Sequence, residues 1–259
     1  MRHYYIPVLV AILIGCEQVV ELELPYEERI VVNGYIGLSY DSALYISRTL
    51  PVGEVATWEK AAIREALVTL RHGAEEFQCL PDPEQIGRYM LPLADSSWYG
   101  TEVTLEVRAG GLYTWVTTVI PKPTPVISAK VTFSESVRAS LTATVVAAPN
   151  TAISVGTAQT PFQVLQDTLL FKLHTFRGTQ VALHDVTFRP LYGRFEGDSI
   201  VVALTTYGRD QVRALDNAGS RGESVFGFAG SNPFYNVEGD GIGLFLGRSR
   251  SLAYAAIVR

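Results

Sequence analysis

Cysteine is almost absent from this chain: Cys16 and Cys79 are the two thiols in 259 residues. That count excludes a disulfide-stapled scaffold, which needs several pairs. Positive charge is also short, with 21 Lys and Arg against 26 Asp and Glu and a net charge of −5. A mildly acidic chain lacks the basic face that gains from counterion release, so nucleic acid is not an expected partner. Beyond the first sixteen residues no apolar run approaches bilayer length, so no spanning helix is expected. Histidine occurs four times, as His3, His72, His174 and His184. A Gly-x-Ser-x-Gly elbow, a P-loop and a His-Glu-x-x-His helix are all missing. The reading is therefore non-enzymatic, with no catalytic residues and no cofactor.

What is present begins at the first residues. Arg2 and His3 precede the apolar run Ile6 to Ile14, which closes on Leu13-Ile14-Gly15-Cys16. A short positive head and a short apolar body make a secretory signal rather than a membrane span. The small residue before the cysteine admits a signal peptidase, and the thiol is the atom that takes a lipid. The stretch looks like a bacterial lipobox, with residues 1–15 as signal peptide and Cys16 as the lipidation site. Removing 1–15 leaves 244 residues (259 − 15) and, without Arg2, a net charge of −6 (−5 − 1). Several acyl chains on one cysteine give the stable anchoring that a single chain does not. Cys79 is then unpaired, and in Phe77-Gln78-Cys79-Leu80 it is expected to fill the apolar face of a strand.

Residues 16–28 read as a lipidated acidic tether, with Glu17, Glu21, Glu23, Glu27 and Glu28 around Pro25. Strand patterns follow over 30–36, 43–47, 65–71, 75–80, 87–92, 101–107 and 112–120. In the third, Ala66, Val68 and Leu70 share one face and Leu67 and Thr69 the other. Short strands with turn signals every 8–12 residues are the signature of a β-sandwich, assigned here to residues 29–120. Glu59 to Glu65 could form a helical turn. Pro121, Pro123 and Pro125 stiffen residues 121–125 into a linker. A second β-rich domain, sandwich or barrel-like, is expected over 126–259. Its strands are read at 126–133, 139–147, 168–176, 181–188, 199–206, 244–247 and 252–258. One short amphipathic helix is placed over 207–218, where Val212 and Leu215 stand at i, i+3. The fold class is all-β.

Three groups of residues have chemical potential. His174 and His184, the latter beside Asp185, sit on neighbouring candidate strands and could meet across a hairpin, but a zinc site needs further ligands. Gly239-Asp240-Gly241-Ile242-Gly243 has the look of a phosphate loop, yet it leads into a strand rather than a helix. Asp198, Glu238 and Asp240 offer hard oxygens near glycine turns and are the weak candidates for calcium; no metal is otherwise expected. Phe226, Phe228, Phe234 and Tyr235 crowd around Ser231-Asn232-Pro233. They either plug the end of the domain or form a platform for a ligand or partner, with Phe228, Asn232, Phe234 and Tyr235 as the candidate contacts.

The order of these features resembles a known family. It runs from the lipobox to Val31-Val32-Asn33-Gly34-Tyr35-Ile36, Ser47-Arg48-Thr49 and the Pro-rich boundary. It ends with Ser231-Asn232-Pro233-Phe234 leading to Val237-Glu238-Gly239-Asp240-Gly241-Ile242-Gly243-Leu244-Phe245. This order is similar to the Bacteroidota outer-membrane lipoproteins grouped as domain of unknown function 4249. The chain is shorter than is usual there, and Asp240 stands where a second glycine is expected. The resemblance implies an immunoglobulin-like or transthyretin-like N-terminal sandwich and no established catalytic residues. It also implies a TonB-dependent receptor as partner, in an outer membrane to which the protein is lipid-anchored. Glu17 favours export to the cell surface, while Gln18-Val19-Val20 interrupts the acidic run, leaving the periplasmic face open. The expected role is an accessory or ligand-capture partner of the transporter; the alternative is a structural or adhesive surface module without a small-molecule ligand.

Overall fold

Alternation decides which side of each early strand is buried. In β1 (Ile30–Ile36), Ile30, Val32 and Ile36 are fully buried while Asn33 is exposed. β2 (Ala43–Arg48) buries Leu44 and Ile46 in the same way. These and the remaining elements belong to a computed structural model that describes residues 26–38, 42–134, 138–148, 151–158, 174–176, 180–188, 199–219 and 234–258. Cys16 and the rest of the signal and tether before Tyr26 lie outside the described residues.

The first module continues with α1 (Trp58–Ala61), β3 (Leu67–His72), β4 (Glu75–Pro81), β5 (Arg88–Met90), β6 (Glu102–Ala109) and β7 (Leu112–Val119). One sheet pairs β1, β2 and β5; the other pairs β4, β3, β6 and β7, all antiparallel. β4 belongs to both, since Cys79 faces Val68 on β3 and Leu80 faces Met90 on β5. Between the sheets lie Ile30, Val32, Leu44 and Ile46 from one side and Val68, Leu70, Val103, Leu105, Val107 and Val116 from the other. Each such side chain contributes roughly 1.5–3 kcal/mol on full burial. This is the β-sandwich expected over 29–120. The expected faces of β3 hold too, with Val68 and Leu70 buried and Leu67 exposed. Cys79 is buried as well, and burial pushes its thiol up to about 12.

Polar groups close the ends of this core. Tyr89, itself buried, donates its hydroxyl to the Ile63 carbonyl at 3.1 Å and accepts from the Ala66 N–H at 2.9 Å. Asp95 caps a 3-10 turn (Ser96–Trp98) by accepting from the Ser97 N–H and hydroxyl, at 2.8 and 2.6 Å, which holds its carboxyl below the ordinary range. The turn delivers Trp98 into the core, where His72 stacks on it at 4.1 Å between ring centroids.

The second module comprises β8 (Val126–Ser134), β9 (Arg138–Ala147), β10 (Thr151–Ala158), β11 (His174–Phe176), β12 (Gln180–Phe188), β13 (Ser199–Tyr207) and α2 (Arg209–Gly219). β14 (Glu238–Gly239) and β15 (Gly241–Val258) follow. Its strands run in the order β11-β10-β13-β15-β8-β9-β12. β11 and β12 are the two ends of that order, yet Phe176 and Gln180 are only four peptide units apart (180 − 176). Four units reach roughly 14 Å at most, so the sheet must curl to bring its ends together. The second module is thus a curled β-sheet whose end strands β11 and β12 are not paired with each other among the described residues. α2 follows β13, as the sequence predicts within two residues, and buries Val212 against the sheet.

β15 ties the modules together. Its residues 241–247 run parallel to β1, from Ile30 opposite Gly241 to Ile36 opposite Gly247. From Arg248 onward the same strand runs antiparallel to β13 and ends parallel to β8. Phe245 and Val237 join the first module's core. Residues 238–247, expected within a separate domain over 126–259, are thus part of the sandwich built by 29–120. The sequence predicts two separate strands, at 244–247 and 252–258. The strand is instead continuous, because Arg248 lays its guanidinium 3.4 Å from the centre of the Tyr35 ring and Ser249 is buried. The proline segment is docked rather than free. Thr124 is buried, its hydroxyl accepts from Thr206 at 2.7 Å, and its carbonyl accepts from Ser251 at 2.6 Å. β10 went unread in the sequence, and of the strand expected over 168–176 only 174–176 is described.

Candidate functional site

The glycine turn, which has the look of a phosphate loop and holds two of the weak calcium candidates, has a structural task. Gly239 has φ +83° and Gly243 φ +124°, conformations that side chains rarely adopt. A Cβ on Gly241 would overlap the Thr114 hydroxyl, and one on Gly243 would overlap the Val32 carbonyl. The glycines let β15 slide between β1 and β7 at backbone distance. Asp240 completes the insertion: its carboxylate accepts from the Tyr113 N–H at 3.0 Å, its N–H donates to the Tyr113 carbonyl at 2.9 Å, and its carbonyl accepts from Ile30 at 3.1 Å. Glu238 lends its backbone carbonyl to the Thr114 hydroxyl and is exposed. Asp198 lies outside the described residues. Among the described residues no group of three His, Cys, Asp or Glu could hold a metal ion.

The aromatic loop is partly visible. Phe228 and Asn232 lie outside the described residues; Phe234 is half-buried and Tyr235 exposed. Next to them Asn236 acts as a strand partner made from a side chain. Its amide oxygen accepts from the Phe245 N–H at 3.0 Å, and its amide nitrogen donates to the Phe245 carbonyl at 2.7 Å and to Asp210 of α2 at 3.1 Å. Phe234 and Tyr235 therefore stand where the two modules meet. His174 stands opposite Ile153 and His184 opposite Ala143; among the described residues β11 and β12 are not paired with each other.

Among the described residues a concave feature lies elsewhere, on the outer face of β1 and β2. A recess of about 240 Å³ is lined by Val31, Asn33, Tyr45, Ser47 and Trp58. Val31 and Asn33 point outward because the core takes Ile30, Val32 and Ile36; Tyr45 and Ser47 lie beside them on β2. α1 supplies Trp58, whose indole N–H donates to the Ile86 carbonyl at 2.8 Å and whose ring meets Tyr45 edge-on at 5.9 Å. A fixed indole, a phenol, a carboxamide and a hydroxyl can grip a small ligand with one flat apolar face and a few polar groups. Sequence reading placed Val31, Asn33, Tyr45 and Ser47 in ordinary strands and passed over Trp58. The signal available was an unexplained Trp58 near two valines in the connection after β2.

No protein-family model matches the chain, and no curated protein does. A solved structure described as "Crystal structure of CBD12 from CALX1.2" is similar over 86% of this chain and 98% of that one. It shares 10% sequence identity, with a TM-score of 0.22. The architecture is read from the chain's own strands. A likeness that loose carries no argument about role.

Proposed function

We propose that the chain is a lipoprotein of the outer membrane, anchored through Cys16, that serves as an accessory or ligand-capture partner of a TonB-dependent transporter and performs no catalysis itself. The observation that carries this reading is the leader closing on Gly15-Cys16 ahead of the acidic tether. The resemblance to the Bacteroidota lipoproteins of domain of unknown function 4249 points the same way.

The geometry supports a directed arrangement. The described chain starts at Tyr26, whose hydroxyl donates to the Thr49 carbonyl at 2.5 Å, while the Arg29 N–H donates to the Thr49 hydroxyl at 3.0 Å. The tether thus meets the sandwich where β1 begins. The second module departs where β1 ends, through Arg248 after Gly247. On this reading the sandwich sits nearest the membrane and the curled sheet is held outward, with Phe234 and Tyr235 at the waist. Anchoring beside a barrel raises the effective concentration, so a weak interface is enough.

Affinity capture with the lipidated chain from solubilised outer membrane is expected to recover a TonB-dependent barrel, and Cys16→Ser is expected to release the chain from the membrane fraction. Capture without any such barrel would end the transporter reading. One observation favours a second reading, a structural or adhesive surface module: a continuous β15 and a docked Thr124 link the two modules at two points. Calorimetry against glycans and peptides separates the two, since a spacer stays silent. Protease shaving of intact cells decides between surface and periplasmic faces.

A further inference from the structure

The connection between β2 and α1 exposes apolar side chains where a soluble loop would be polar. Val52 is 79% exposed, Val55 72%, Trp58 43%, and Tyr26 beside them 42%. Such residues scattered singly need no explanation, but three within seven residues of one connection, with Tyr26 bonded to Thr49 at its start, do. That start is where the tether arrives: Tyr26 and Arg29 are bonded to Thr49, and the loop starts at the next residue.

From this juxtaposition we infer that the loop Leu50–Trp58, with Tyr26, seats the sandwich directly on the surface of the lipid leaflet. This rests on the anchored reading given above. Ten peptide units separate Cys16 from Tyr26 (26 − 16), a reach of roughly 35 Å at most, so the acylated residue keeps this end of the fold close to the bilayer. Two valines with a tryptophan and a tyrosine are the composition of an interfacial contact: the aliphatic groups dip, and the amphipathic rings lie at headgroup level. The pose is prepared. Trp58 is held by Ile86, and a Cβ on Gly87 would crowd its ring, so only glycine leaves the indole in place.

Charge selects the kind of surface. Arg29 pairs with Glu27 at 2.8 Å, Arg48 with Glu28 at 3.2 Å and Lys60 with Glu54 at 3.2 Å. These three cations each have an acid beside them, and Glu59 adds negative charge at α1, so little attraction remains for anionic headgroups. The partner this face fits is a zwitterionic phospholipid surface.

The test uses the full lipidated chain reconstituted in phosphatidylethanolamine vesicles that carry phosphatidylcholine brominated at known acyl depths. Flotation reports the anchor, and quenching of indole emission reports the seat. The expected result is quenching that is strongest for shallow bromines, disappears in Trp58→Phe, and is lost in the Val52→Asp, Val55→Asp double variant while the near-ultraviolet circular dichroism is unchanged. Chains that float but leave Trp58 unquenched overturn the seat and leave the anchor standing. The same holds if a photo-crosslinker at position 55 captures protein instead of lipid. Chains that fail to float overturn the anchor, and the seat with it.

Discussion

Replacing Gly243 with alanine tests the insertion of β15 beside β1. The residue has φ +124°, and its added Cβ would overlap the Val32 carbonyl oxygen of the neighbouring strand. The conformational cost is roughly 1–3 kcal/mol. Displacing β1 from β15 to make room adds roughly 1–3 kcal/mol, as overpacking does. Together they give about 2–6 kcal/mol, against a total of about 5–15 for an ordinary domain. Two controls separate the causes. Gly247→Ala keeps an ordinary φ and meets the Val119 carbonyl, so it isolates the steric cost. Gly110→Ala has φ +58° in the β6–β7 turn with nothing within 4 Å, so it isolates the conformational one. Urea midpoints at constant slope should fall in the order Gly243→Ala lowest, then Gly247→Ala, then Gly110→Ala. Equal losses at 243 and 110 would mean that β15 does not lie against β1 at backbone distance.

Four further outcomes are expected. Tyr89→Phe strands the Ile63 carbonyl and the Ala66 N–H and should lower stability by about 1–3 kcal/mol in the same urea assay, with no change of fold by circular dichroism. Asn236→Ala removes both bonds to Phe245 and should cost about 1–3 kcal/mol; Asn236→Asp, which keeps an acceptor but places a carboxylate beside Asp210, should not rescue it. In a Cys16→Ser chain the Cys79 thiol should resist alkylation at pH 8 until the protein is unfolded. Burial raises its folded pKa from 9.0 to about 12, so the unfolded thiol ionises first and stability declines between those values by roughly 1.4 kcal/mol per pH unit; Cys79→Ala, measured in parallel, should lack that slope. A fragment ending at Pro125 lacks Val237 and Phe245 and should show no cooperative thermal transition, which scanning calorimetry reads directly.

The sandwich strands were legible because period-two alternation records burial residue by residue: Val68 and Leu70 against Leu67 is the pattern of an interior and an exterior. Cys79 was legible for the same reason. β15 was not, since the polar Arg248-Ser249-Arg250-Ser251 separates two apolar strand patterns until Tyr35 is known to receive the Arg248 guanidinium. That contact joins residues far apart in sequence, and no local pattern announces it. Thr124 misled similarly, because prolines on either side advertise a spacer while its hydroxyl binds Thr206. The glycine run was noticed, and its ligand readings were already weak; its demand for close backbone approach is visible only from the position of Val32 and Thr114. Trp58 escaped for want of periodicity around it.

The partnership of β1 with β15 also governs timing. Ile30 to Ile36 leave the ribosome long before Gly241 to Gly247, with all of 121–236 in between. Closing so long a loop is entropically expensive and slow, so the earlier half cannot complete its interior ahead of the later one. A nascent polypeptide of this design remains threadable until nearly all of it has been made, a property that the proposed export would need.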